Sequence, residues 1–122
     1  MGKARLRAEA CRLAAHRRNV SELEAARYIT KGELRHTLTE YSAAEEAASI
    51  LDLISAVTAK TAVDFREAII SLASSRALDL RARAELYFAQ GKKEESARAR
   101  CASFEAKHIS EMFELLKPAV KA

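Results

Sequence analysis

Two tetrapeptides in this chain, Glu33-Leu34-Arg35-His36 and Glu105-Ala106-Lys107-His108, share the pattern Glu-x-x-His. On a helix, residues i and i+3 lie on one face, so each pair can chelate a single metal ion. Di-iron and di-manganese helical bundles use two such pairs together with a lone Glu from each of two further helices. The remaining carboxylates supply that set poorly. Glu9 sits among arginines, and Glu67 and Glu85 read as solvated. If the second helix begins after Gly32, the two pairs also miss each other by about 12 residues, or roughly 18 Å along the bundle. No metal ligand is assigned on this reading: Glu33 and His36 form a surface pair, and His108 is an imidazole at the edge of the core.

Other chemistries find less support. There is no Gly-x-Ser-x-Gly elbow, and neither Cys11 nor Cys101 has a His partner of any local signature. Three scattered glycines cannot build a phosphate-cradling loop. A phosphotransfer histidine would want a following Lys-Gly, which neither His36 nor His108 has. No catalytic residue and no cofactor are expected. The cysteines have no Cys-x-x-Cys or zinc-type spacing and fall among alanines, as small reduced thiols of a cytoplasmic protein would. No run of ~18 apolar residues exists to cross a membrane. The start Met-Gly lacks the Ser or Thr that a myristoylation site wants at position 6, where Leu6 stands. An Arg- and Ala-rich beginning is also what a mitochondrial transit peptide shows, although such peptides are usually richer in Ser.

The charge pattern is more informative. Net charge is +4 over 122 residues, and residues 1–20 carry the excess: Lys3, Arg5, Arg7, Arg12, Arg17 and Arg18 stand against Glu9 alone. The rest of the chain is close to neutral. A basic helix on a neutral body suits an acidic protein, nucleic acid or an anionic membrane. No aromatic precedes Tyr28 to stack bases or anchor the helix in lipid, which weakens the last two.

Composition dictates the elements that must position these groups. Hydrophobic residues make up 49% and charged residues 31%, with three Gly, one Pro and no Trp. An all-β chain needs turn formers every 8–12 residues or so, and this one lacks them. From Glu33 to Gln90 there is neither Gly nor Pro, a stretch of 58 residues that as one helix would span about 87 Å. The chain therefore either makes one very long helix, as crescent-shaped membrane-bending dimers do, or turns without glycine. Ser or Thr followed three residues later by an acid marks helix starts at Ser21–Glu24, Thr30–Glu33, Ser42–Glu45 and Thr61–Asp64. Residues 57–63 hold four β-branched side chains, which weakens helix locally. A corner near 58–62 follows, with a further turn at Thr30-Lys31-Gly32 or slightly upstream at Asn19–Ser21, another at Gln90-Gly91-Lys92 and a stop at Pro118.

These signals predict four helices over 3–29, 33–57, 62–89 and 93–117, a single domain of residues 1–122 with a short tail at 118–122. Apolar spacing assigns core stripes: Ala47, Ile50, Ile54 and Val57; then Ile70, Ala73, Ala77, Leu80, Ala84 and Tyr87; then Ala97, Cys101, Phe104, His108, Met112 and Leu115, backed by Ile109, Phe113 and Leu116. The first helix presents only a thin apolar line of Leu6, Ala10, Leu13 and Val20, and its contribution to the core is expected to be the weakest. Short connections favour antiparallel neighbours, hence an up-down bundle.

An internal repeat runs through the chain at an offset of 59. Ala25, Tyr28 and Gly32 match Ala84, Tyr87 and Gly91, and Ala43, Glu46, Ala47, Ile50, Leu53 and Ile54 match Ala102, Glu105, Ala106, Ile109, Met112 and Phe113. Each copy is a helical hairpin with an aromatic one turn before a glycine cap. The Ala…Tyr…Gly spacing resembles one half of a tetratricopeptide unit or of a microtubule-interacting-and-trafficking hairpin, over about 20 residues per copy. A tetratricopeptide array would repeat near 34 residues rather than 59, so the resemblance implies helical-hairpin protein binding and no more.

The expectation is thus an all-α, antiparallel four-helix bundle built from two helical hairpins, serving as a non-catalytic protein-interaction or assembly module. The partner surface is expected at Lys3, Arg5, Arg7, Arg12, Arg17 and Arg18, with Lys92, Lys93, Arg98 and Arg100 as additions. The partner would be a protein of acidic character, and a homodimer is compatible. The competing readings are a ferritin-like di-metal bundle and a module that binds nucleic acid or an anionic membrane through the basic first helix.

Overall fold

Each reversal of the chain sits where local chemistry stops a helix. The computed structural model describes residues 1–118 and contains α1 (Lys3–Thr30), α2 (Leu34–Ala56), α3 (Ala62–Ala89) and α4 (Lys93–Glu114), with no strand among the described residues. The 118–122 tail therefore lies, from residue 119, outside the described residues. α1 ends at Gly32, whose φ of 73° is left-handed. There the Glu33 amide donates to the Tyr28 carbonyl at 2.9 Å and the Gly32 amide to Ile29 at 3.0 Å. α3 repeats this six-to-one and five-to-two closure at Gly91, φ 78°, with Lys92 donating to Tyr87 at 2.8 Å and Gly91 to Phe88 at 3.0 Å. A Cβ added at either glycine meets no atom within 4 Å, so substitution strains only the backbone. Gly32→Ala and Gly91→Ala should each cost about 1 kcal/mol, measured by urea unfolding.

The corner between α2 and α3 needs no glycine. α2 stops at Ala56 and α3 begins at Ala62, with the Thr61 hydroxyl oxygen accepting from the Asp64 amide at 3.1 Å. The other start signals do not start helices. Ser21 lies inside α1 and Ser42 inside α2, where its hydroxyl donates back to the Leu38 carbonyl at 3.1 Å. Long runs of helix-forming neighbours and burial override a capping motif in those places. α4 ends three residues before the expected 117, and Arg66 takes up carbonyls at and just past its end. Its guanidinium donates to Glu114 O and Leu116 O, both at 2.6 Å.

The helices form an antiparallel four-helix bundle of two hairpins, α1 with α2 and α3 with α4. The hairpins meet mainly along α2 and α4, which run parallel, while α1 and α3 approach each other at few positions. One cluster fills the centre: Leu6, Ala10 and Ala14 from α1, Ala47, Ile50 and Ile54 from α2, Phe65, Ile69 and Ala73 from α3, and Ala106, Ile109 and Phe113 from α4. α1 contributes to this cluster three fully buried residues of which only Leu6 is larger than alanine, the smallest share of the four helices, as its thin apolar line predicts. The expected stripes on α3 and α4 are shifted. Ile69 takes the fully buried place and Ile70 packs at the cluster's edge, and Leu80 and Tyr87 are only half-buried. On α4 the buried face runs through Ala99, Ala102, Ala106, Ile109 and Phe113, whereas Phe104, His108 and Leu115 face solvent. Two apolar lines compete on that helix, and the one of small residues wins because it lets α4 lie close to α2 and α3.

The two hairpins are equivalent under the 59-residue offset. α1 and α3 begin and end at matching positions, and α2 and α4 begin at matching positions. Leu6 and Phe65, Ala10 and Ile69, Ala14 and Ala73, Ala47 and Ala106, Ile50 and Ile109, and Ile54 and Phe113 are matched pairs, all fully buried.

Candidate interaction surface

The basic first helix is where the sequence places the partner contact, and its six cations divide between internal work and solvent. Lys3 donates to the Ala59 carbonyl at 2.7 Å. Arg7 donates to the carbonyls of Ile54, Ser55 and Val57 at 2.7, 3.1 and 2.6 Å, and its guanidinium stacks 4.7 Å from the Phe65 ring centre. It thereby satisfies the orphan carbonyls that end α2 and places positive charge at the negative end of the helix. Arg66, its match at offset 59, does the same for α4. Arg17 reaches across the bundle to Glu105, and Arg12 pairs on the surface with Glu9. Arg5 and Arg18 have no ion pair among the described residues, Arg5 being exposed and Arg18 half-buried. The helix therefore offers solvent a narrower set of cations than the sequence contains, because a carbonyl of the α2–α3 connection, the carbonyl end of α2 and a buried carboxylate of α4 take three of them.

The Glu-x-x-His pairs do not converge. Glu33 is the N-cap residue of α2, while Glu105 lies midway along the parallel helix α4. Glu105 is buried and bonded by Arg17 in a fork, Nε to Oε2 at 3.0 Å and Nη2 to Oε1 at 2.9 Å, with the Ser21 hydroxyl 3.4 Å away. His108 is exposed, contrary to the core-edge expectation, and His36 lies against Tyr28 with ring centres 5.0 Å apart. Among the described residues no three His, Cys, Asp or Glu side chains group as a metal site requires.

The match of Glu105 at offset 59 is Glu46, and that of Arg17 is Arg76. Arg76 grips Glu46 with two bonds of 2.6 Å. Each outer helix thus reaches the inner helix of the other hairpin with a bidentate ion pair, and the two pairs mirror each other across the bundle. Residue types alone hold this clue: Arg17/Arg76 and Glu46/Glu105 both survive the offset, and paired opposite charges kept in both copies point to a shared interior contact.

Around Arg17 the electrostatics are uneven. Burial, with Glu24 and Glu105 nearby, raises the Glu40 carboxyl above its ordinary 4.5. Burial, with Glu40 and Glu105, pushes the Cys101 thiol up to about 11, so it stays protonated and a poor nucleophile at neutral pH. For Glu40 the folded chain holds its proton more tightly than the unfolded chain does. The carboxylate is therefore a burden above its raised folded value, and the burden disappears as the pH falls through that value and below 4.5. Glu40→Gln should raise Tm at pH 7, and the gain should shrink to nothing at acid pH, read by thermal unfolding across that range.

The surface that sequence reasoning missed lies on the outer face of the second hairpin. A groove of about 700 Å³ runs between α3 and α4, floored by Ser74, Ala77, Ser103 and Ser110. Leu78 and Phe104 edge it, exposed at 68% and 65%, and Arg81, Arg100, Lys107 and Glu111 surround them. Serines tie the floor together: Ser103 donates to the Ala77 carbonyl at 2.7 Å, and the Ser74 and Ser110 hydroxyls are 2.6 Å apart. The first hairpin supplies a comparison. Where the groove floor has Ala77 and Ser110, the offset positions carry the larger Arg18 and Leu51, both half-buried. Where its edge has Leu78 and Phe104, they carry polar Asn19 and Glu45. The core is duplicated, and this face is not.

The fold and this surface define an all-α bundle of two equivalent hairpins with a groove of mixed polar and apolar lining on the outer face of the second. Comparison with protein-family models, with curated proteins and with solved structures returns no match. No helix among the described residues is long and apolar enough to cross a membrane.

Proposed function

We propose that this chain is a non-catalytic helical interaction module that assembles with protein through the groove face of α3 and α4. The exposed Leu78 and Phe104 over a floor of small side chains carry the reading. Two large apolar side chains left in water beside a concave surface are what a helix-docking site offers. Of the groups that could do chemistry, Glu105 and Glu46 hold arginines, and burial raises the Cys101 thiol. The exposed cations Arg5 and Arg12 suit an acidic contact at α1, apart from the groove.

The test is cross-linking in the cells of origin, wild type against Leu78→Ser/Phe104→Ser. Both positions are exposed, so Tm should change little. The expected result is the loss of specific cross-linked products in the variant. An identical pattern from both proteins, or no products from either, removes the groove as an interaction surface.

A further inference from the structure

We propose that the occupant of the groove is a second copy of this chain, laid antiparallel so that α4 packs against α4 across a two-fold axis. This rests on the groove face being a contact surface and adds what it contacts. Along the groove α4 exposes Arg100, Phe104, Lys107, Glu111 and Glu114; the first four, spaced four, three and four residues apart, are aligned on one face and form the stripe. Set against itself in reverse about the point between Phe104 and Lys107, the stripe is self-complementary. Arg100 of each copy meets Glu111 of the other, and Phe104 of each meets Lys107 of the other. Two ion pairs and two cation–π contacts form at once from four residue types.

Two-fold docking demands such self-complementarity, because every residue must meet its symmetry mate's surroundings. The parallel alternative sets Arg100 on Arg100 and Lys107 on Lys107, and like charges exclude it. The small floor of Ser74, Ala77, Ser103 and Ser110 leaves room at the centre for the aromatic rings and for Leu78. The first hairpin again serves as the comparison. Its matching stripe is Tyr41, Glu45, Ala48 and Asp52, two acids and no cation, which reversed on itself gives no ion pair. Only the second hairpin carries both the groove and the reversible stripe.

The experiment is sedimentation velocity on the purified full chain over a range of concentrations. The wild type should rise from 13.5 kDa toward twice that mass, and less readily as salt is raised. Arg100→Glu and Glu111→Arg should each weaken the dimer at least tenfold, since each sets like charges opposite one another at two places. Mixed together, the two variants should pair with each other, because every Glu then faces an Arg. That rescue separates a docking role from a merely structural one.

A wild type that stays monomeric to about 1 mM, the weak end of measurable affinity, overturns the proposal. So does a dimer unmoved by both substitutions, or a mixture of the two variants that remains monomeric. If the pure protein is monomeric while the cellular cross-links still depend on Leu78 and Phe104, the second copy is wrong and the groove stands. If both fail, the interaction surface itself is wrong.

Discussion

Replacing Arg17 with Met lowers the stability of the chain by about 2–4 kcal/mol, and Arg76→Met does the same. Each substitution leaves a glutamate only 4% exposed, Glu105 or Glu46, without its counter-ion. Removing one partner of a fully buried pair typically costs about 3–5 kcal/mol. The value here is set lower because the arginines are 27% and 33% exposed, which lets water soften the loss. A chain of this size has about 5–15 kcal/mol in all, so either change takes a large share. Arg17→Met/Glu105→Leu, which removes both charges, should recover most of the loss, because an apolar pair of similar volume replaces a buried ion pair at little expense. Urea unfolding of the two single variants and the double variant measures the coupling. Single variants within 0.5 kcal/mol of wild type would mean the forks add nothing to the junction of the hairpins.

Phe65→Ala should cost about 3–5 kcal/mol, the usual range for emptying a buried aromatic site. Phe65 is fully buried in the central cluster and lies under the Arg7 guanidinium, so its loss also loosens the clasp that ends α2. The control is Phe104→Ala, at an aromatic of the same size that is exposed on the single chain, where a change within about 0.5 kcal/mol is expected at concentrations dilute enough to keep the chain monomeric. Thermal and urea unfolding of the two variants side by side decide which phenylalanine belongs to the interior. Equal losses would contradict the placement of α4's faces.

The same contrast shows how far residue order alone reaches. Turn chemistry is local, so the left-handed glycines at 32 and 91, the Thr61 cap and the corner after Ala56 are readable from a few neighbouring residues. Helix length follows from the shortage of Gly and Pro, and four long helices with short connections leave the antiparallel bundle as the economical arrangement. The face that α4 buries is not local. Phe104, His108, Met112 and Leu115 make as good an apolar line as Ala102, Ala106, Ile109 and Phe113. The 59-residue match of Ile54 with Phe113 and Ala47 with Ala106 already favours the second line, but only if the two hairpins pack alike.

The cations of α1 show the same boundary. Lys3, Arg5, Arg7, Arg12 and Arg17 are all basic residues on one helix, and only the offset matches Arg7/Arg66 and Arg17/Arg76 set two of them apart in the sequence. Lys3 and Arg7 find carbonyls 47 to 56 residues away, and Arg17 finds a carboxylate 88 residues away. The order of residues determined where the chain turns, that it is helical, and that it is built twice from one hairpin plan. Which charges are internal, and which apolar side chains are left in water beside the α3/α4 groove, was decided only when the two hairpins came together. Burial and ion pairing depend on neighbours distant in the chain, and no local pattern carries that information.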